Sequence, residues 1–296
     1  MFRGDDSIKV DRKKGALYMF LSAFFFSLMN IFVRYTAEIP IFQQLISRNL
    51  IITIGMFIAL ALEKNLKNLK VEDGKMPLFL RCTFGFLGMI TNFYAVNHMA
   101  IADVSAITKM SPFFVMVFAA LILKEKLRGY SIFALILSIA GMFIVIRPNL
   151  VNDPGPAMIA VISAIGASLA YTMLGVLKNK VRSEVIIFYF GLYSTLGCLP
   201  FIVGNFQVPD LKEALLLIMI GITAGLGQLF VTLAYKYAPA SEVSIYNFSA
   251  IPIGIILGLI CFGEKVDSLS LIGMAMIIGA GYYNYKMAKK VQEAET

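Results

Sequence analysis

The sequence predicts an all-α integral membrane protein in which ten transmembrane helices form two inverted five-helix repeats. Three observations carry that expectation. The 296-residue chain is 59% hydrophobic and only 15% charged, with a mean hydropathy of +0.80, far more apolar than a soluble domain of this length. It contains ten apolar runs separated by short charged or Pro/Gly-containing breaks, each close to the roughly 20 residues that a spanning helix needs. Segments of its first half also return in its second at offsets of 141 and 139 residues.

In order along the chain, residues 1–13 form a short charged tail. The first run, 14–35, is too long for a removable leader and lacks a small-residue cleavage site, so it reads as a span that is retained. Spans follow at 40–62, 76–98, 103–123 and 129–147, which completes a first repeat over 14–147. A linker at 148–154 leads to spans at 155–178, 183–204, 211–237, 241–262 and 267–287, a second repeat over 155–287. Residues 288–296 form a second tail.

The formal charge of +8 invites a nucleic-acid reading, but the basic residues fall in the breaks between spans, where they set orientation instead. With the N-terminus cytoplasmic, 20 of the 26 Lys and Arg fall on the cytoplasmic side, Arg81 among them. Arg34, Arg147, Lys212 and Lys265 fall outside, and Arg48 and Lys109 lie within spans. Both termini are therefore expected in the cytoplasm, with the inner membrane of a bacterium as the location and no nucleic acid as partner. Cys82, Cys198 and Cys261 sit in apolar runs without metal-type spacing and read as small core residues.

The repeat is visible in particular residues. "SAFFFSL" at 22–28 recurs as "SAIGASL" at 163–169, and "DVSAITKMSPFFVMVFAALILKEK" at 103–126 returns as "EVSIYNFSAIPIGIILGLICFGEK" at 242–265. Each half holds five spans, and an odd number makes the second copy enter the bilayer from the opposite face. The halves are then related by a pseudo-twofold axis in the membrane plane, an arrangement that puts a binding site at their interface. Pro112 and Pro252 fall in corresponding fourth spans, one position out of register, and are expected to kink them.

With "SP…ALILKEK…AGMFIVI" in one half and "AIP…GLICFGEK…IIGAGYY" in the other, the chain resembles the drug/metabolite transporter superfamily, specifically its EamA-type ten-helix members. The resemblance covers roughly residues 14–287 and implies a central cavity between the repeats and movement of small metabolites.

Helical spacing nominates the residues that face such a cavity, because i, i+3/i+4 and i+7 share a face. Ser27, Asn30 and Arg34 align on the first span, and Ser168, Tyr171 and Gly175 on the sixth. Arg81, Gly85, Gly88 and Asn92 align on the third; Gly221, Gly225, Gln228, Thr232 and Tyr235 on the eighth. Helix packing through small residues accounts for these stripes equally well. Lys109 shares a face with Ser105 and Pro112, and Arg48 lies at similar depth from the same side. Two cations in an apolar layer require a wet cavity or a partner, with Glu38 and Asp103 the nearest anionic partners in sequence. The expected substrate-binding residues are Asn30, Arg48, Asn92, Lys109, Tyr171, Gln228 and Asn247.

No span interior contains Asp or Glu, and the single histidine, His98, ends the third span. Neither a catalytic group nor a metal cluster can be assembled from that set, so neither an enzyme nor a cofactor is expected. The expected function is secondary transport of a small organic metabolite, amino acid or organic acid in kind, with an anionic group. A larger aromatic or cofactor-like solute is the alternative within transport, and a non-transporting scaffold or receptor the alternative outside it. Expected partners are the substrate and membrane lipid, with the chain a monomer or homodimer.

Overall fold

Within a bilayer each backbone N–H and C=O must be satisfied inside its own segment, which drives apolar runs of this length into helices. The computed structural model describes residues 10–62, 69–98, 107–146, 154–202, 204–263 and 268–295, and every regular element among them is helical. The elements are α1 (Arg12–Tyr35), α2 (Ile41–Leu62), α3 (Lys75–His98), α4 (Ser111–Ile122), α5 (Gly129–Ile146), α6 (Pro154–Leu177), α7 (Ser183–Ile202) and α8 (Leu211–Tyr237). Then come α9 (Ala240–Val243), a 3-10 segment (Ser244–Ser249), α10 (Ala250–Phe262) and α11 (Ser268–Glu295). Among the described residues six stretches are long and apolar enough to cross a membrane: α1, α2, α7, α8, Gly155–Leu177 of α6, and Ala240–Phe262.

The helix ends are written in the sequence. The Asp11 carboxylate accepts from Lys14 N at 3.0 Å to start α1. Asp210 and Glu213 form a reciprocal capping box at the start of α8, with bonds of 2.6 and 2.9 Å. Gly263 ends α10 at φ 64°, a left-handed conformation that glycine adopts without steric cost.

The fourth and ninth spans differ from the expectation of simple kinks. Lys109 and Met110 form a turn ahead of α4, and the ninth span is divided into α9, the 3-10 segment and α10. Pro112 is the second residue of α4 and Pro252 the third of α10. First-turn N–H groups have no intrahelical acceptor in any case, so proline sacrifices no hydrogen bond there and opens a helix instead of bending one. Asp103 and Ser105 lie outside the described residues.

Packing is by pairs: α1 runs along α8, α3 along α6, α5 along α11 and α2 along α7. Two glycines let α3 and α6 touch backbone to backbone. A Cβ on Gly88 would stand 3.0 Å from Ala167 N, and one on Gly166 would stand 3.2 Å from Gly88 Cα. Serines tie neighbouring helices, as expected where lipid offers no hydrophobic drive between helices. Ser22 Oγ donates to Gly227 O at 2.9 Å and Ser163 Oγ to Gly88 O at 2.7 Å. Ser27 Oγ donates to Ala250 O at 3.3 Å and Ser168 Oγ to Ser111 O at 2.9 Å. One apolar core joins Met19, Val115, Leu174, Phe190 and Tyr235 from α1, α4, α6, α7 and α8. A second joins Met116, Met142, Phe248 and Ile277.

Candidate functional site

Arg81 stands at the centre of the site, although its sequence position groups it with the loop cations on the cytoplasmic side. The structure corrects that grouping. Arg81 lies six residues inside α3, roughly 9 Å along the helix, and is only 3% exposed. Its guanidinium lies 4.4 Å from the ring centre of Phe190 on α7 and 5.7 Å from that of Tyr171 on α6. Such cation–π contacts offset part of the desolvation of a charge, and an arginine keeps its proton even when buried. Tyr171 stacks on Tyr235 of α8, with centroids 5.6 Å apart and planes at 14°. Arg81 Nε is sealed from solvent without a hydrogen-bond partner. Gly85, one turn further along α3, makes room for the side chain: a Cβ there would stand 2.7 Å from Arg81 Nη1.

Arg48 of α2 is the second cation. It is half-buried, and its Nη1 donates to Asn49 Oδ1 at 2.9 Å and approaches Met89 Sδ at 3.6 Å. It lies close enough to Arg81 and Tyr171 to interact electrostatically with both. Glu38, the nearest anionic partner by sequence, is exposed instead. Among the described residues no carboxylate pairs with Arg48, Arg81 or Lys109.

Of the residues nominated by spacing, Arg48 and Tyr171 gather around Arg81. Gln228 is buried at 4% exposure, and its Oε1 has no partner. Asn92 on α3 and Asn247 in the 3-10 segment are half-buried, whereas Asn30 is exposed on α1. Lys109 is half-buried at the turn before α4. Two stripe residues serve packing. Arg34 lies 4.1 Å over the Phe262 ring, and a Cβ on Gly175 would stand 2.7 Å from the Leu123 side chain. Sequence reasoning missed Phe190, and although it aligned Arg81 with Gly85 on one face of the third span, it counted Arg81 among the cytoplasmic cations and not among the binding residues.

Two carboxylates tie several elements together at one end of the bundle. Glu242 of α9, expected near a surface, is 4% exposed. Arg12 Nε donates to its Oε2 at 2.7 Å and the Tyr130 hydroxyl to its Oε1 at 2.9 Å. Asn284 Nδ2 donates to Glu242 O at 3.1 Å, and Ser131 Oγ to Asn284 Oδ1 at 3.0 Å. Glu125, after α4, accepts from Ala240 N and Ser241 N at 3.0 Å each and from Ser241 Oγ at 2.7 Å. Burial lowers the proton affinity of the neighbouring Lys178 ammonium, and the Glu125 charge opposes that shift. Together these contacts join α1, α5, α9 and α11 to the segment after α4, at the end nearest Tyr235.

The EamA-like transporter family model matches residues 13–147 and 155–284. The chain is 30% identical over 276 residues to the pseudopaline exporter CntI of Pseudomonas aeruginosa (strain UCBPP-PA14), covering 90% of this chain and 94% of that protein. It is 24% identical to human solute carrier family 35 member G1, covering 95% of this chain and 81% of that one. The riboflavin transporter of Brucella anthropi is 25% identical, with 73% and 81% covered. A solved crystal structure superposes with a TM-score of 0.81 at 17% identity, over 95% of this chain and 99% of that one, and shows the fold.

Proposed function

Because the chain belongs to the EamA-like transporter family, within the drug/metabolite transporter superfamily, we propose that it is a secondary transporter of a small organic metabolite carrying an anionic group. It is an integral membrane protein whose relatives are transporters, not enzymes. The proposal adds the substrate class, amino acid or organic acid in kind, and a mechanism of alternating access. One observation carries the substrate class: Arg48 and Arg81 are placed among apolar helices with aromatic rings around them and no described carboxylate to neutralise them. Buried cations of this kind are retained where a ligand supplies the counter-charge.

The ten-span, inverted-repeat reading draws support from packing. Exchanging α1 with α6 and α3 with α8 carries the α1–α8 pair onto the α6–α3 pair. The Ser22–Gly227 bond is then matched by Ser163–Gly88, and Ser27–Ala250 by Ser168–Ser111. In every case the serines are 141 residues apart and the acceptors 139. The broken fourth and ninth spans support a site opened to one side at a time.

Purified full-length chain in liposomes tests the function directly. Counterflow of an anionic metabolite at a rate above protein-free vesicles, with its neutral amide not exchanged, is the expected result. Exchange at the protein-free rate for both sets of compounds refutes the substrate class. Asn92→Ala and Gln228→Ala are expected to slow that counterflow while folding normally, since an amide at this depth needs a partner. Normal transport by both variants returns these residues to helix packing.

The proposed location is a bacterial inner membrane, with lipid and substrate as partners, the chain a monomer or homodimer, and both termini cytoplasmic. Moving Arg81 into the core leaves 19 cytoplasmic cations against four outside, the same asymmetry. A phosphatase or fluorescent-protein reporter fused after Thr296 is expected to report a cytoplasmic C-terminus; periplasmic phosphatase activity would reverse the topology. A larger aromatic or cofactor-like solute is the second reading, favoured by the Tyr171–Tyr235 stack and by the riboflavin named for the Brucella anthropi relative.

A further inference from the structure

We infer that Arg48 and Arg81 form a paired anion site, so that the substrate carries two anionic groups about one helical turn apart. The inference rests on the anionic-metabolite reading above and narrows it to a dicarboxylate-like class.

The spacing comes from α3, which both side chains touch. Arg81 Nη1 reaches the position beside Gly85, where a Cβ would stand 2.7 Å away. Arg48 Nη1 reaches Met89 Sδ at 3.6 Å. Gly85 and Met89 are four residues apart, which is roughly 6 Å of rise along the helix. Two guanidinium tips at successive turns of one helix repel each other unless something negative lies between or against them. Arg48 Nη1 already donates to a neutral amide, Asn49 Oδ1, at 2.9 Å, and this does nothing for the charge. Arg81 has the Phe190 and Tyr171 rings 4.4 and 5.7 Å from its guanidinium carbon, and its Nε is buried without an acceptor. An edge-on carboxylate is the group that a guanidinium fork fits best. A substrate with one anionic group would leave one of the two arginines without a counter-charge.

Gly85 is then a positioning residue. A methyl group there would meet both Arg81 Nη1 and Phe190 Cε2 at 2.7 Å, so Gly85→Ala displaces the Arg81 tip while leaving its charge in place.

The test uses the full-length protein in detergent and ligand-induced thermal stabilisation. The probes are glutarate, adipate and pimelate, each with its monoamide and its diamide. In wild type the best-fitting diacid is expected to bind at least about tenfold more tightly than its monoamide, one charge-assisted hydrogen bond being worth that much or more. Arg81→Gln is expected to erase the difference, while Arg81→Lys restores part of the diacid preference. Gly85→Ala, which keeps every charge, is expected to erase it as well, and it serves if Arg81→Gln does not fold. Equal binding of diacid and monoamide in wild type, both tighter than diamide, overturns the paired site and leaves the single-anion reading intact. Equal binding of all three overturns both. A diacid preference that survives Arg81→Gln or Gly85→Ala, or no stabilisation by any diacid, also overturns the inference.

Discussion

Replacing Arg12 with alanine is expected to remove most of the folded protein. Arg12 and Glu242 are 8% and 4% exposed and are joined by a 2.7 Å bond between the first and second halves of the chain. Removing one partner of a buried pair leaves the other charge without compensation, at a cost of about 3–5 kcal/mol. The Tyr130 hydroxyl would remain on Glu242 as its one side-chain donor, and a neutral donor does not replace a guanidinium. Thermal unfolding of the detergent-purified protein, followed with size-exclusion recovery, measures the loss. The double variant Arg12→Leu with Glu242→Gln is expected to recover most of it, because the amide oxygen still accepts from Tyr130 and no charge is left buried. An Arg12→Ala protein as stable as wild type would show that the pair does not hold this end together.

The second large effect is on substrate affinity. Arg48→Gln is expected to raise the apparent KM of an anionic substrate by about 10- to 150-fold, from a charge-assisted hydrogen bond of about 1.5–3 kcal/mol. A neutral analogue of the same shape is expected to change little. Lys109→Gln is expected to act in the same direction from the turn before α4, and Lys109→Arg to keep part of the affinity, since charge is retained while geometry changes. The competing account makes these cations structural, holding helices together rather than substrate. It predicts equal losses for anionic and neutral substrates in one liposome preparation, and that equality would sink the anchor role of both residues.

Much of this was legible in the chain. The apolar runs identify the helices because a bilayer leaves an isolated segment no other way to satisfy its backbone. The repeat at offsets of 141 and 139 residues anticipates the matched serine bonds, since equivalent residues on equivalent helices find equivalent acceptors. The prolines mark the interrupted spans, although as helix starts and not as bends. Arg48 and Tyr171 are reachable from helical spacing and from the cost of a cation at membrane depth. Lys109 is reachable by the same argument, although spacing along one helix carries no information about which neighbour that helix faces.

For Arg81 helical spacing and charge counting point in opposite directions, one to a cavity-facing stripe and the other to the cytoplasmic cations. A cation six residues into a run reads as loop-proximal, because a long side chain near a helix end can extend to the interface. Only the placement of α6 and α7 against α3, with Tyr171 and Phe190 turned toward it and Gly85 leaving space, makes the inward orientation favourable. Glu242 follows the same logic: a carboxylate at a span end reads as solvated until Arg12 from the opposite half and Tyr130 from α5 arrive to bury it. The sequence by itself therefore determined the apolar helices and the class of protein, which follow from local hydrophobicity and periodicity. The tertiary structure decided which charges are inside and what each one faces, because the energy of a buried charge is set by groups distant in the chain that only packing brings within a few ångströms.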